Sequence, residues 1–175
     1  GNMGLFYAWD GTLRCNDGVA RVNLLLNRAS PWMDIDSYLP YEGKAVLENK
    51  TAKEALVRIP LWVDKNSVKC RIGDRQIEPR WIERYVRIPK LKHGDVVTIE
   101  FPMVERTEHW SGHTCKFRGN TLTGITPPVS FPIAGTPALG TTSRLYQDRA
   151  EKYKAAKAPM VKVTRYVTPQ TLQWQ

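Results

Sequence analysis

The chain has 175 residues, of which 42% are hydrophobic and 25% are charged, and its formal net charge is +9. This composition is typical of a globular domain with a real core, and it excludes a disordered chain. No apolar run approaches the ~20 residues that a membrane-spanning helix needs. Basic residues alternate with apolar ones instead of forming a run of like charge, which favours a solvated sheet face. We therefore predict neither a membrane nor a nucleic acid as a partner.

The first third of the chain is predicted to consist of short strands separated by turns. Apolar and aromatic runs predict the first two strands, with an Asn-Asp-Gly turn between them. The next stretch alternates, so that Met33, Ile35 and Ser37 share one side of a strand. The predicted strands in this part are 5–9, 19–26, 33–39, 44–48 and 54–59.

The middle of the chain continues this pattern with two predicted hairpins. Gly73-Asp74 marks the turn of a hairpin over 72–78, and Ser111-Gly112 marks a tight turn between strands 106–110 and 113–118. Between the hairpins, strand 95–101 alternates cleanly, which places its apolar residues on one face. The residues that we predict to be buried are Ile59, Trp62, Val97, Ile99 and Phe101.

The character of the chain changes after residue 126. Residues 127–140 contain four prolines and two glycines, so they predict a loop. Residues 143–157 predict a helix with Ser143 as the N-cap, and 160–167 predict a last strand. The sequence thus predicts an all-β fold, an antiparallel β-sandwich of jelly-roll type at 5–126. A C-terminal extension at 127–175, with one short helix, is expected to pack back on it.

One cluster of residue types has the chemistry of metal ligands. On a single strand, His109 and His113 would lie ~13 Å apart, too far for one zinc ion. A hairpin at 111–112 would bring His109 opposite His113, with Cys115 nearby, but a fourth ligand is missing. We therefore predict no metal site. Cys15, Cys70 and Cys115 match no ligand spacing and predict buried free thiols.

Two carboxylates form the only candidate for acid–base catalysis. Asp34 and Asp36 lie at i and i+2 on a predicted strand, ~6.6 Å apart, within the range of glycosidase acids. Any such pair on a strand meets this test, so a solvated strand face is the better interpretation. No nucleophile elbow and no nucleotide-binding loop occurs. We predict no catalytic residue and no cofactor in this chain.

Aromatic residues offer a weaker hypothesis of sugar binding. Aromatic rings stack on the apolar faces of sugars while nearby polar groups bind hydroxyls. Trp9, Trp32 and Trp110 border turns or polar segments, and they are the candidate carbohydrate-binding residues. Tryptophan is buried more often than not, so packing in the core or at its edge is the competing interpretation.

Several sequence segments, taken in order, carry a resemblance to a known family. They are RIPLW at 58–62, VKCRI at 68–72, YVRI at 85–88, HGD at 93–95, IEFPM at 99–103, and upstream VNLLLNRASPW at 22–32 and LPYEGKAVLENK at 39–50. They resemble the non-catalytic β-sandwich that follows the helical barrel in β-L-arabinofuranosidase-like enzymes of glycoside hydrolase family 127. The hairpin at 72–78 departs from the family, since Gly-Asp stands where the family has Asn-Gly.

The resemblance implies an accessory domain that braces the catalytic (α/α) barrel of a parent enzyme acting on arabinose-containing glycans. The catalytic glutamate and zinc-binding cysteines of these enzymes belong to the barrel, and Cys15 lacks the adjacent cysteine of that site. The parent protein would be periplasmic or secreted. A stand-alone carbohydrate-binding module is the alternative, favoured by an exposed aromatic platform. A nucleic-acid-binding domain is a second alternative, favoured by basic residues clustered on one face.

Overall fold

The computed structural model describes residues 2–126, 153 and 157–161 of the chain. One α-helix, one 3-10 turn at Lys65–Ser67 and a series of short strands make up this part. The helix and strands are α1 Asn2–Asp10, β1 Leu13–Asn16, β2 Val19–Val22, β3 Met33–Ser37, β4 Lys44–Asn49, β5 Glu54–Arg58, β6 Lys69–Ile72, β7 Arg75–Ile77, β8 Arg80–Ile82, β9 Tyr85–Pro89, β10 Val96–Glu100, β11 Glu105–Trp110, β12 His113–Arg118 and β13 Thr121–Thr126. The described helix is not long and apolar enough to cross a membrane.

The strands form three sheets, which confirms the predicted all-β fold. The first sheet has the order β1-β2-β5-β9-β8, the second β3-β4-β10-β6-β7, and the third β11-β12-β13. Neighbouring strands are antiparallel except for β2 and β5, which are parallel. The chain divides into two compact units, of which the first holds the first and second sheets. The second unit holds the third sheet and residues 40–43.

The first unit is a β-sandwich, because buried residues of its two sheets form one hydrophobic cluster. In β3, Met33, Ile35 and Ser37 are buried while the residues between them are half-buried, so the predicted alternation is confirmed. Of the residues predicted to be buried, Ile59, Val97, Ile99 and Phe101 are buried. Trp62 is only half-buried. Its ring meets the Phe101 ring edge to face, with centroids 5.6 Å apart.

The N-terminal segment corrects the sequence prediction. Residues 5–9, predicted as a strand, belong to the helix α1. Aromatic side chains favour strands only weakly, and tertiary context overrides such preferences. Here contacts with the sandwich hold the end of the helix, since Asn23 Nδ2 donates to the Gly11 carbonyl at 2.8 Å and Arg28 donates to the Trp9 carbonyl. The strand β1, which follows immediately, was not predicted.

The predicted hairpins are confirmed, whereas the second predicted strand is shorter than expected. β6 and β7 are joined through Gly73-Asp74, and β11 and β12 through Ser111-Gly112. Ser111 and Gly112 have φ values of 48° and 77°, as a two-residue hairpin turn with positive φ at both positions requires. β2 ends at Val22, and the rest of the predicted strand 19–26 is irregular.

The C-terminal predictions fall almost entirely outside the described residues. This holds for the loop 127–140, the helix 143–157 apart from Tyr153 and Lys157, and the strand 160–167 apart from its first two residues. Met160 and Val161 are described and lie in no strand. The domain limits at 5–126 and 127–175, and the jelly-roll connections, stay predictions.

Candidate functional site

The three candidate sugar-binding tryptophans lie on different elements. Trp110 is 77% exposed at the end of β11, in the second unit. Trp32 precedes β3 and packs, half-buried, against the core of the sandwich. Trp9 lies in the last turn of α1 and is 49% exposed. The sugar-binding role of these three tryptophans stays a prediction.

Trp9 is partly occupied by a contact within the chain. The guanidinium of Arg28 lies 4.1 Å from the centroid of the Trp9 ring, and it also donates to the Trp9 carbonyl. An Arg28 nitrogen lies 3.6 Å from the Asp10 carboxylate. Burial lowers the pKa of Arg28, and Asp10 opposes this change. Arg28 therefore fixes the end of α1 on the sandwich through one face of the indole.

The helix α1 presents large apolar side chains to solvent. Leu5 is 75% exposed, Phe6 40% and Tyr7 61%, and with Trp9 they form what we call the α1 apolar surface. The Phe6 ring lies 5.8 Å from the Tyr7 ring and 6.4 Å from the Trp9 ring. Large apolar side chains exposed side by side often mark an interaction site, and Leu5, Tyr7 and Trp9 are the most exposed of this group. This surface is the first candidate interaction site of the chain, and sequence reasoning missed it by assigning the segment to a strand.

The carboxylate pair has a structural role at Asp34. The Asp34 carboxylate accepts from Lys50 Nζ at 2.7 Å and from the Ser30 main-chain N–H at 3.1 Å. The same Lys50 ammonium donates to the Ser30 carbonyl at 2.9 Å. The prediction of a merely solvated carboxylate is therefore wrong for Asp34, because its charge holds the loop before β3 against the end of β4.

The histidine–cysteine cluster differs from its predicted geometry by one residue. The tight hairpin pairs Trp110 with His113, so His109 faces Thr114 instead of His113. The Thr114 hydroxyl lies 3.0 Å from His109 Nδ1. Among the residues that the structure describes, no group of three or more His, Cys, Asp or Glu side chains is placed to hold a metal ion.

The three cysteines are free thiols in different environments. Cys70 is buried, as predicted, and this burial raises its pKa to about 11. Cys15 is half-buried, and its pKa is raised chiefly by burial and further by the charge of Asp17. Cys115 is also half-buried, so the prediction of full burial is wrong for Cys15 and Cys115.

Each of the five strands of the first sheet contributes one arginine to the outer side of that sheet. Pairing places Arg14 opposite Arg21, Arg21 beside Leu56, Leu56 opposite Arg87, and Arg87 opposite Arg80. Residues directly opposite one another point to the same face of a sheet. Arg58 lies two residues beyond Leu56 on the same side. The exposed residues that we call the arginine face are Arg14, Arg21, Arg58, Arg80 and Arg87.

As predicted, these basic residues lie on a solvated sheet face, since all five are exposed. On each strand the arginines merely alternate with buried residues, but the sheet brings them together. Two of them have carboxylate partners: Arg87 makes a bidentate ion pair with Glu54, at 2.8 and 2.9 Å, and Arg14 pairs with Asp10. The hydrogen bond with Glu54 raises the pKa of Arg87.

The other three arginines of this face, Arg21, Arg58 and Arg80, make no ion pair with any residue that the structure describes.

A polar cleft opens at one end of the arginine face. Its volume is about 310 Å³, and its lining is Arg14, Asn16, Val19, Arg21 and Asn23. The Tyr85 hydroxyl donates to Asn23 Oδ1 at 2.9 Å, and the Arg21 guanidinium lies 5.7 Å from the Tyr85 ring centroid. The cleft therefore offers amide and guanidinium groups next to one half-buried aromatic ring.

These features define a two-sheet β-sandwich with two candidate interaction surfaces, and the fold is similar to parts of solved glycoside hydrolases. A GH127 β-L-arabinofuranosidase from Geobacillus stearothermophilus T6 is 16% identical with a TM-score of 0.55, over 69% of this chain and 22% of that one. A second GH127 β-arabinofuranosidase is 19% identical with a TM-score of 0.53, over 63% and 23%. A further glycoside hydrolase is 16% identical with a TM-score of 0.56, over 68% and 23%.

These likenesses show a shared fold, and the fold expected from the sequence resemblance is confirmed. The chain spans less than a quarter of the length of each of these solved structures. No protein-family model matches the chain, and no curated protein sequence matches it.

Proposed function

We propose that this chain is a non-catalytic accessory β-sandwich domain of a glycoside hydrolase that acts on arabinose-containing glycans. In this role it braces a catalytic helical barrel of the same parent protein through the α1 apolar surface. The observation that carries the proposal is this exposed surface on a sandwich whose fold is that of one part of much longer glycoside hydrolases.

The α1 apolar surface is suited to a permanent interface because the helix itself is held in place. Asn23 Nδ2 donates to the Gly11 carbonyl at 2.8 Å, and Arg28 covers one face of Trp9. The C-terminal end of the helix that carries these side chains is therefore tied to the sandwich. Burying a large apolar side chain stabilises an interface by about 1.5–3 kcal/mol, so several of them supply a substantial part of a domain contact.

A bracing role also agrees with the structural contacts of Asp34, the carboxylate that catalysis by this chain would need. Asp34 is committed to Lys50 and to the Ser30 N–H, and a general acid or nucleophile has to reach substrate instead. The stand-alone carbohydrate-binding module is the weaker alternative, because Trp32 is half-buried against the core and Arg28 covers one face of Trp9.

The proposal is tested in the protein encoded by the full reading frame. The double variant Leu5→Ala/Tyr7→Ala should loosen the contact between sandwich and barrel. We expect limited proteolysis to release the sandwich faster. We also expect heat to inactivate the enzyme at a lower temperature, as measured by turnover of an aryl β-L-arabinofuranoside. The control is Trp110→Ala, which removes another exposed aromatic ring from the second unit.

The same double variant of the isolated chain should keep its melting temperature, because Leu5 and Tyr7 are largely exposed there. A full-length variant with unchanged proteolysis and heat inactivation would refute the bracing role. A reading frame that encodes no further domain would refute it as well.

A further inference from the structure

We infer that the arginine face is a binding surface for acidic glycans that carry carboxylate groups, such as uronic-acid polymers. The inference deepens the proposed function, since it names a ligand class for a domain of a carbohydrate-active protein. It rests on the row of arginines across the first sheet and on the polar cleft at one end of that row.

The first argument is the charge that the sheet leaves uncompensated. Like charges directly opposite one another destabilise a strand pair, and this sheet has two such pairs, Arg14 with Arg21 and Arg80 with Arg87. Asp10 and Glu54 offset one member of each pair. Arg21, Arg58 and Arg80 have no carboxylate partner among the described residues, and an anionic ligand would supply one and relieve the repulsion between the paired arginines.

The second argument is the shape of the surface. Neighbouring strands of a sheet lie ~4.8 Å apart, so a row across five strands extends over ~19 Å. A small anion would cover one or two arginines, whereas an extended polymer with a charge at intervals along it covers the whole row. Guanidinium groups bind carboxylates through two parallel hydrogen bonds, which gives each contact geometric specificity.

The third argument comes from the groups beside the charges. Asn16 lines the cleft and is exposed, and an amide both donates and accepts hydrogen bonds, as sugar hydroxyls require. Binders of single-stranded nucleic acid stack successive bases on exposed aromatic rings. In contrast, the only aromatic ring that the register places on this face is Tyr85, which is half-buried and hydrogen-bonded to Asn23. The face therefore favours a carboxylated glycan over a nucleic acid.

An acidic protein surface fits this face less well. The centres of protein–protein interfaces are depleted of charged residues and contain apolar or aromatic anchors. Ile82, which is 47% exposed, lies on this face. The other large apolar side chains that the structure describes as exposed on the first unit are not among the paired strand residues of the face.

The test measures binding by the full 175-residue chain, so its result does not depend on whether a barrel domain exists. Calorimetry and affinity electrophoresis with polygalacturonate should show binding that weakens as salt rises. Neutral arabinan at the same concentration should bind far more weakly. An oligothymidylate and a polyglutamate serve as polyanions without sugar carboxylates.

The variants separate this face from general basicity. Arg21→Ser/Arg80→Ser should weaken polygalacturonate binding at least about tenfold, because hydrogen bonds between charged groups are lost. The matched control Lys69→Ser/Arg75→Ser removes the same charge from the second sheet and should change affinity less than about twofold. Arg58→Ser, whose side chain makes no described contact, should also weaken binding and provides a second variant that keeps the fold.

Four outcomes would overturn the inference. Polygalacturonate that does not bind, or that loses affinity equally in the control, would show that the face is not a specific site. Oligothymidylate binding more tightly at equal salt would assign the face to nucleic acid, and polyglutamate binding more tightly would assign it to an acidic protein. Failure of this test leaves the bracing function standing, because that function depends on α1 and not on the arginines.

Discussion

Replacing the buried Asn49 by alanine should destabilise the sandwich more than any other single polar substitution that we consider. Asn49 ends β4 and is fully buried. Its Nδ2 donates to the Ala52 carbonyl at 2.9 Å and to the Lys92 carbonyl at 2.8 Å, and its Oδ1 accepts from the Ala52 N–H at 3.2 Å. One side chain thus holds the loop after β4 and the turn before β10 together.

The magnitude follows from the bonds that Asn49→Ala removes. Each of three hydrogen bonds contributes a net ~0.5–1.5 kcal/mol, and buried groups left without a partner cost more, so we expect a loss of about 2–4 kcal/mol. For a chain of this length, each kilocalorie shifts the melting temperature by roughly 2–4 °C. The expected decrease is therefore about 5–15 °C.

Urea denaturation followed by circular dichroism measures the loss directly, with the melting temperature as a second reading. The control is Asn66→Ala, since Asn66 is exposed and such surface changes usually stay within about 0.5 kcal/mol. If Asn49→Ala and Asn66→Ala unfold at the same urea concentration, then water or a local shift replaces the lost bonds, and the reasoning from buried hydrogen bonds is wrong.

Three further predictions concern the core, a thiol and the absence of catalysis. Phe101→Ala should lower the free energy of unfolding by about 3–5 kcal/mol, because the ring is buried against Trp62, and an unchanged melting temperature would contradict this. Since the Cys70 pKa is raised from 9.0 to about 11, the thiol stabilises the fold below pH 9, and this contribution is lost as pH rises towards 11. Iodoacetamide at pH 8 should therefore label Cys70 only in denaturant, and mass spectrometry showing rapid labelling in the folded chain would refute its burial. The chain alone should turn over no aryl arabinofuranoside, and Asp34→Asn should reduce stability by freeing Lys50; turnover that is lost in this variant would revive the carboxylate as catalytic.

Local alternation was enough to predict most of the sandwich. In β3 and β10, apolar residues at every second position meet the core because successive side chains of a strand point to opposite faces. The turn at Ser111-Gly112 was also predictable, since two-residue hairpins require residues that adopt positive φ. These features depend on a few consecutive residues, so the sequence contains all the information that they need.

The helix α1 was not predictable in the same way. Its aromatic residues favour a strand in isolation, and its conformation depends on what its end contacts, including Asn23 and Arg28. Similarly, the offset that places His109 opposite Thr114 depends on the hairpin register. The α1 apolar surface became visible only once the segment was seen as a helix.

The arginine face shows what the tertiary structure alone decided. The sequence by itself determined that arginines alternate with buried residues along each strand, and therefore that they lie on the solvent side. The alternation does not show which strands are neighbours. For example, β2 pairs in parallel with β5, which lies more than thirty residues later in the chain. Only that long-range pairing brings Arg21 into one row with Arg87 and Arg80. Strand order is set by how the two sheets bury their apolar faces together, and no local pattern along the chain records it.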